Sequence, residues 1–99
     1  MRDVAAFDPA LWNAFAGFAD EASKEGALPE KYKEILGVAL AVAEHCSFCI
    51  AIHAKAAIAA GASQQEIMEA GFMAVLMGGG PSMAYLRYVI DACDEFAAE

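Results

Sequence analysis

Positive charge is scarce in this chain, and so are proline, tryptophan and long apolar runs. Six Lys and Arg face fourteen Asp and Glu over 99 residues, for a formal net charge of −8. Nucleic-acid affinity comes largely from clustered Lys and Arg. No such cluster exists here, so no nucleic-acid partner is expected, and the acidity reads as a device for solubility. No apolar run reaches the ~20 residues that cross a bilayer. The longest, residues 35–43 and 70–77, fall well short. No long apolar stretch follows Met1-Arg2-Asp3, which is unlike a secretory leader. The expectation is a soluble, cytoplasmic protein without a membrane partner, forming one domain over residues 1–99. Its three cysteines are too few, and odd in number, for a disulfide framework.

Apolar residues are in excess: 60% of the chain, tyrosine included, against about 45–50% in ordinary soluble domains. A chain this short buries only about two-thirds of the surface its unfolded form exposes. The surplus must face something, and a second copy of the chain is the simplest partner, so a homo-oligomer is expected.

The apolar spacing is helical throughout and alanine is abundant, which predicts an all-α fold of five to six helices. Leu11, Phe15 and Phe18 repeat at i, i+4, i+7, as do Leu86, Ile90 and Cys93. Asp8-Pro9 caps and opens a helix that runs to about Lys24. Pro29 opens a second, to about His45. A third runs from about Ser47 to Gly61, a natural C-terminal cap. Ser63-Gln64-Gln65-Glu66 is a capping box for the fourth, which ends in Gly78-Gly79-Gly80. Pro81 opens the fifth, to about Phe96. Residues 35–43 carry no polar side chain on any face, which predicts burial all round and a central position for the second helix.

The chemistry concentrates in Cys46-Ser47-Phe48-Cys49-Ile50-Ala51-Ile52-His53. At a helix start, both thiols stand near unpaired backbone N–H groups and the positive end of the helix dipole. That setting favours the reactive thiolate. Three residues apart, the two sulfurs share a face and can close a disulfide. His53 lies one turn beyond Cys49 on the same strip, where its imidazole can take the thiol proton. Glu34 stands about 16 Å before the turn along one helix and His53 about 9 Å after it along the next. Antiparallel packing would leave an axial offset of about 7 Å, which two extended side chains roughly cover. Glu34 could then orient His53 as a carboxylate orients the histidine of a triad.

Other readings of the same residues stay open. CxxC with His53 and either His45 or Cys93 could bind zinc. A c-type haem site is excluded, because Ile50 rather than His follows the second cysteine. Cys49 and His53 could be plain core residues, and Glu34 a solvated first-turn carboxylate. His45 reads as a helix C-terminal residue interacting with free carbonyls. Cys93 reads as core, Met68, Met73, Met77 and Met83 as packing residues, and Trp12 with the other aromatics of the first helix as core or subunit contact.

Glu34, Cys46-Ser47-Phe48-Cys49 and His53 together resemble the active-site pattern of the alkylhydroperoxidase D branch of the carboxymuconolactone decarboxylase family. Gly61-Ala62-Ser63-Gln64-Gln65-Glu66-Ile67 and Met77-Gly78-Gly79-Gly80-Pro81 are similar to other stretches of its small members. The resemblance covers roughly residues 10 to 92. It implies an all-α homo-oligomer, a trimer or hexamer, with thiol-dependent reduction of peroxides; the partners expected are a peroxide or small disulfide substrate and an external dithiol that restores the pair. Neither cofactor nor metal is expected. By that analogy Cys49 attacks, Cys46 resolves, and His53 with Glu34 relays protons. One position departs: the best-known hydroperoxidase of the branch carries a histidine just before the second cysteine, where this chain has Phe48. The decarboxylases that name the family act on a lactone acid without a CxxC, so the cysteine pair argues against that activity here.

Overall fold

The computed structural model describes residues 2–97, which form six helices and no strand. They are α1 (Arg2–Phe7), α2 (Pro9–Ser23), α3 (Glu30–Ala43), α4 (Ser47–Ala59), α5 (Gln64–Gly78) and α6 (Gly80–Ala97). The local signals act as expected at most ends. The Asp8 carboxylate accepts the Leu11 N–H at 3.0 Å, with Pro9 beside it at the start of α2. The Lys33 ammonium donates to the carbonyls of Ala22 and Lys24 at 3.0 and 2.8 Å, closing the far end of α2 against the first turn of α3. At α5, Ser63 Oγ accepts from the Glu66 N–H and Glu66 Oε1 accepts from the Ser63 N–H, so two orphan donors are satisfied reciprocally. The Ser63 backbone bond, with Lys31 at 3.0 Å, holds the Glu66 carboxyl below its ordinary range. Two boundaries differ by a residue: Pro29 caps α3 rather than opening it, and α6 starts at Gly80 rather than Pro81.

Helices α3 and α4 are joined by a turn in which one residue serves both. His45 has φ +55°. Its N–H bonds the Val42 carbonyl at 3.1 Å, and the Cys46 N–H bonds the Ala41 carbonyl at 3.0 Å. This is a Schellman motif with histidine where glycine is usual. Its last residue, Cys46, is at once the N-cap of α4. Gly61, at φ +99°, closes α4 with the same pair of bonds, Gly61 N–H to Ile58 and Ala62 N–H to Ala57. His45 is therefore held by its backbone, and its ring does not cap carbonyls as expected; it stacks on Tyr85 of α6, centroids 4.7 Å apart.

The core lies between α3, α4, α5 and α6, around Val38, Val42, Ile50, Ile67, Val89 and Cys93. Cys93 is core as its place on the α6 stripe predicts, and burial, with Asp94 nearby, pushes its thiol up. Of the two roles expected for the aromatics of α2, core or subunit contact, the first does not hold within this chain: no residue of α2 is buried, and Leu11, Phe15 and Phe18 face outward. Two expectations about burial need correction. On α3, Ile35, Val38, Ala41 and Val42 are buried, but Leu36 and Leu40 are about half exposed. Met73, Met77 and Met83 are exposed rather than packed. In each case the sequence shows that a face is apolar, and this chain alone does not cover it. Helix α1 was not readable: six residues are too few to show a helical period. No helix among the described residues is long and apolar enough to cross a membrane.

Candidate redox site

Cys46 is fixed from both sides, by its N–H in the cap of α3 and by its side chain at the start of α4. Its Sγ accepts the Cys49 N–H at 3.1 Å. The two cysteines are joined as a disulfide with Cα atoms 5.2 Å apart, within the usual span for such a bond. The first turn of α4 thus accommodates the bond. When reduced, the same N–H and the helix N-terminus favour a thiolate. Both cysteines are partly buried, while Ser47 and Phe48 between them are exposed.

Helix α3 brings Glu34 to the second half of the strip. Glu34 Oε2 lies 2.8 Å from His53 Nδ1. The Glu34 side chain is only 8% exposed and that of His53 36%, so the carboxylate is buried with the imidazole as its hydrogen-bonding partner. An ionised carboxylate only accepts. In the neutral ring Nδ1 must then carry the proton, which leaves the Nε2 lone pair free to take one. This is the contact that spacing along the two helices suggested.

Gly37 makes the approach possible. A Cβ at this position would stand 2.7 Å from His53 Nδ1 and 2.8 Å from Cγ. Mid-helix glycine costs about 1 kcal/mol relative to alanine, and here the cost admits the ring against the α3 backbone. Sequence reasoning passed over Gly37; its signal was a glycine inside an otherwise apolar helix. Gly37→Ala is expected to lose about 1–2 kcal/mol rather than gain the alanine increment, because the ring must move in a packed site. Urea unfolding of the two proteins measures this, and a more stable variant would mean the ring moves aside freely.

Gly37, Leu40, Ala41, Glu44, Cys46, Cys49 and His53 line a cleft of ≈ 320 Å³. Glu44 is a second residue that sequence reasoning missed. The zinc sets considered above are not assembled: Cys93 lies in the core, the ring of His45 stacks on Tyr85, and among the described residues no three His, Cys, Asp or Glu are grouped as a metal would need. Glu34 is not a solvated surface carboxylate.

Residues 4–92 match the model of the Carboxymuconolactone decarboxylase family. An uncharacterized protein of Cupriavidus necator is 36% identical over 77 residues, covering 78% of this chain and 68% of its own. A crystal structure of a carboxymuconolactone decarboxylase family protein from Legionella pneumophila superposes with a TM-score of 0.90 at 39% identity, covering 96% of this chain and 85% of that one. A family member from Thermotoga maritima, described as a candidate for an antioxidative response, superposes with a TM-score of 0.81 at 28% identity over 87% of this chain and 74% of that one.

Proposed function

The chain belongs to the carboxymuconolactone decarboxylase family, and from that footing we propose that it is a thiol-dependent peroxidase of the alkylhydroperoxidase type. The observation that carries the reading is the 2.8 Å contact of buried Glu34 with His53, a residue that lines the cleft shared with the Cys46–Cys49 pair. A structural disulfide has no need of an oriented imidazole beside it. In the reduced protein His53 takes the Cys49 proton. The Cys49 thiolate attacks the terminal peroxide oxygen, the O–O bond breaks, and the alkoxide leaves with the proton His53 returns. Cys49 is then a sulfenic acid. The Cys46 sulfur displaces water from it and forms the disulfide. An external dithiol supplies two electrons and two protons to restore both thiols. Glu34 acts through His53, by holding its tautomer and balancing its charge.

The comparison with the Thermotoga maritima protein supports this reading, as does the N-cap position of Cys46. The CxxC argues against the lactone decarboxylation for which the family is named. We assign the chemistry to one domain, acting in the cytoplasm, where thiol pools can restore the pair. We further assign it to a homo-oligomer, a trimer or hexamer, whose contacts would cover the exposed faces of α2 and α3. The test is to reduce the protein, remove the reductant, add one equivalent of an organic hydroperoxide, and map the products by mass spectrometry. A loss of two hydrogens confined to the peptide holding Cys46 and Cys49 is expected. Both cysteines remaining reduced while peroxide persists would overturn the peroxidase.

A second reading, disulfide reduction or redox sensing without peroxide turnover, is favoured by Phe48, half exposed between the cysteines where the known hydroperoxidase has a histidine. Protein that ignores peroxide but reduces a small disulfide would establish it.

A further inference from the structure

The cleft over the cysteines is apolar apart from its reacting groups and one residue to which the redox chemistry gives no task. Glu44 ends α3 and lines the cleft beside Leu40, Ala41, Cys46 and Cys49. It is an exposed acidic side chain. The other carboxylate nearby, Glu34, is buried and paired with His53. Among the described side chains, no Lys or Arg pairs with Glu44. No Lys or Arg occurs between Glu34 and Ala54. Lys33 is held on the carbonyls of Ala22 and Lys24, Lys31 pairs with Glu66, Lys55 lies over the Phe96 ring, Arg87 pairs with Asp91 and Lys24 with Glu21. The mouth of the cleft thus carries an acidic side chain that no described Lys or Arg pairs, on an apolar wall shared with thiols that must themselves become anionic to react.

We infer that Glu44 is a specificity-determining residue that screens substrates by charge, admitting neutral or cationic molecules with an apolar body and rejecting those that carry a carboxylate. The inference rests on the thiol-redox reading of the site and narrows it. Hydroperoxides bearing an acid group, and acidic thiols offered as reductant, are disfavoured; neutral or amine-bearing ones are favoured. Like charges about 8 Å apart in a half-solvated setting repel enough to change a rate about threefold. The effect weakens as salt shortens the screening length.

Alkylation reads the charge filter without any peroxide. Iodoacetate and iodoacetamide nearly share a shape but only the first is an anion; in each case the cysteine thiolate forms a C–S bond and iodide leaves with the electron pair. The ratio of the two rates on reduced protein, iodoacetate over iodoacetamide, is expected to rise about threefold in Glu44→Gln, and further in Glu44→Lys. In about 0.5 M salt the wild-type ratio should approach that of Glu44→Gln. Asp20→Asn is the control for overall charge: Asp20 lies near the end of α2 that Lys33 ties to the first turn of α3, away from the cysteines. A disulfide pair extends the test to a redox substrate. Thiolate attack on cystamine, a dication, or dithiodiglycolate, a dianion, gives a mixed disulfide and one small thiolate; the second cysteine then closes the Cys46–Cys49 bond and releases the other. Wild type should prefer cystamine and Glu44→Lys should lose that preference. Ratios unchanged in both Glu44 variants, or moved equally by Asp20→Asn, would overturn the inference while leaving the redox reading intact. Thiols inert to all four reagents would overturn both.

Discussion

Cys49→Ser is expected to reduce dithiol-dependent peroxide turnover by about 10³-fold or more, because a serine hydroxyl at neutral pH does not attack an O–O bond and Cys46 alone has no second cysteine with which to close the disulfide that turnover requires. Cys46→Ser should behave differently. It keeps the attacking sulfur, so it should consume about one equivalent of peroxide per chain in a burst and then stall as a sulfenic acid, open to further oxidation. Stopped-flow measurement of peroxide loss separates the two. The contrast matters because the geometry gives each cysteine a claim. Cys49 stands one turn before His53, the base. Cys46 receives the Cys49 N–H at 3.1 Å, a bond that stabilises a thiolate on Cys46. A burst from Cys49→Ser and none from Cys46→Ser would reverse the roles. Equal steady-state turnover in wild type and Cys49→Ser would end the peroxidase assignment altogether.

The charge filter and the oriented relay act on different steps of that chemistry. Glu44 governs which molecules reach the sulfurs, while Glu34 and His53 govern proton movement once they arrive. Both carboxylates come from α3, one at its first turns and buried, the other at its end and exposed. Burial alone separates their duties: a carboxylate sealed against one imidazole can only serve that ring, whereas one facing water acts at a distance on whatever approaches.

How much of this was legible in the chain depends on whether the signal is local. Asp8-Pro9, Ser63 with Glu66, and Gly61 fix helix ends through bonds to residues three to five positions away, and each stands where the sequence placed it. CxxC and His53 share one helix, so their common face follows from the helical repeat. Glu34 was reachable because only one short turn separates its helix from that of His53. Gly37 and Glu44 were not, because their significance arises only when α3 lies against α4. The exposed faces failed for a related reason. Leu11, Phe15 and Phe18 form the stripe of a buried helix, yet nothing in a stripe says which surface covers it. His45 shows how a tertiary contact changes a residue's role: it occupies a left-handed position suited to glycine while its ring stacks on Tyr85 from α6.

Removing the base should show in two measurements that move differently. His53→Ala is expected to slow peroxide turnover by about 10²-fold, the usual scale for loss of a positioned acid–base group, and to slow Cys49 alkylation near neutral pH. Glu34→Gln should slow both less, by about tenfold for turnover, since the amide oxygen can still accept from Nδ1 but without the charge. The double variant should be little worse than His53→Ala, because Glu34 acts only through the ring. Stability distinguishes this from simple damage. His53→Ala leaves the Glu34 carboxylate buried without its partner, a change that costs 3–5 kcal/mol in a fully buried pair and here about 2 kcal/mol, since the ring is partly exposed. Adding Glu34→Gln removes the stranded charge and should restore part of that loss in urea unfolding, while turnover stays low. A double variant that regains activity along with stability would make His53 a packing residue. A tenfold larger loss from Glu34→Gln than from His53→Ala would place the essential proton on the carboxylate instead of the ring.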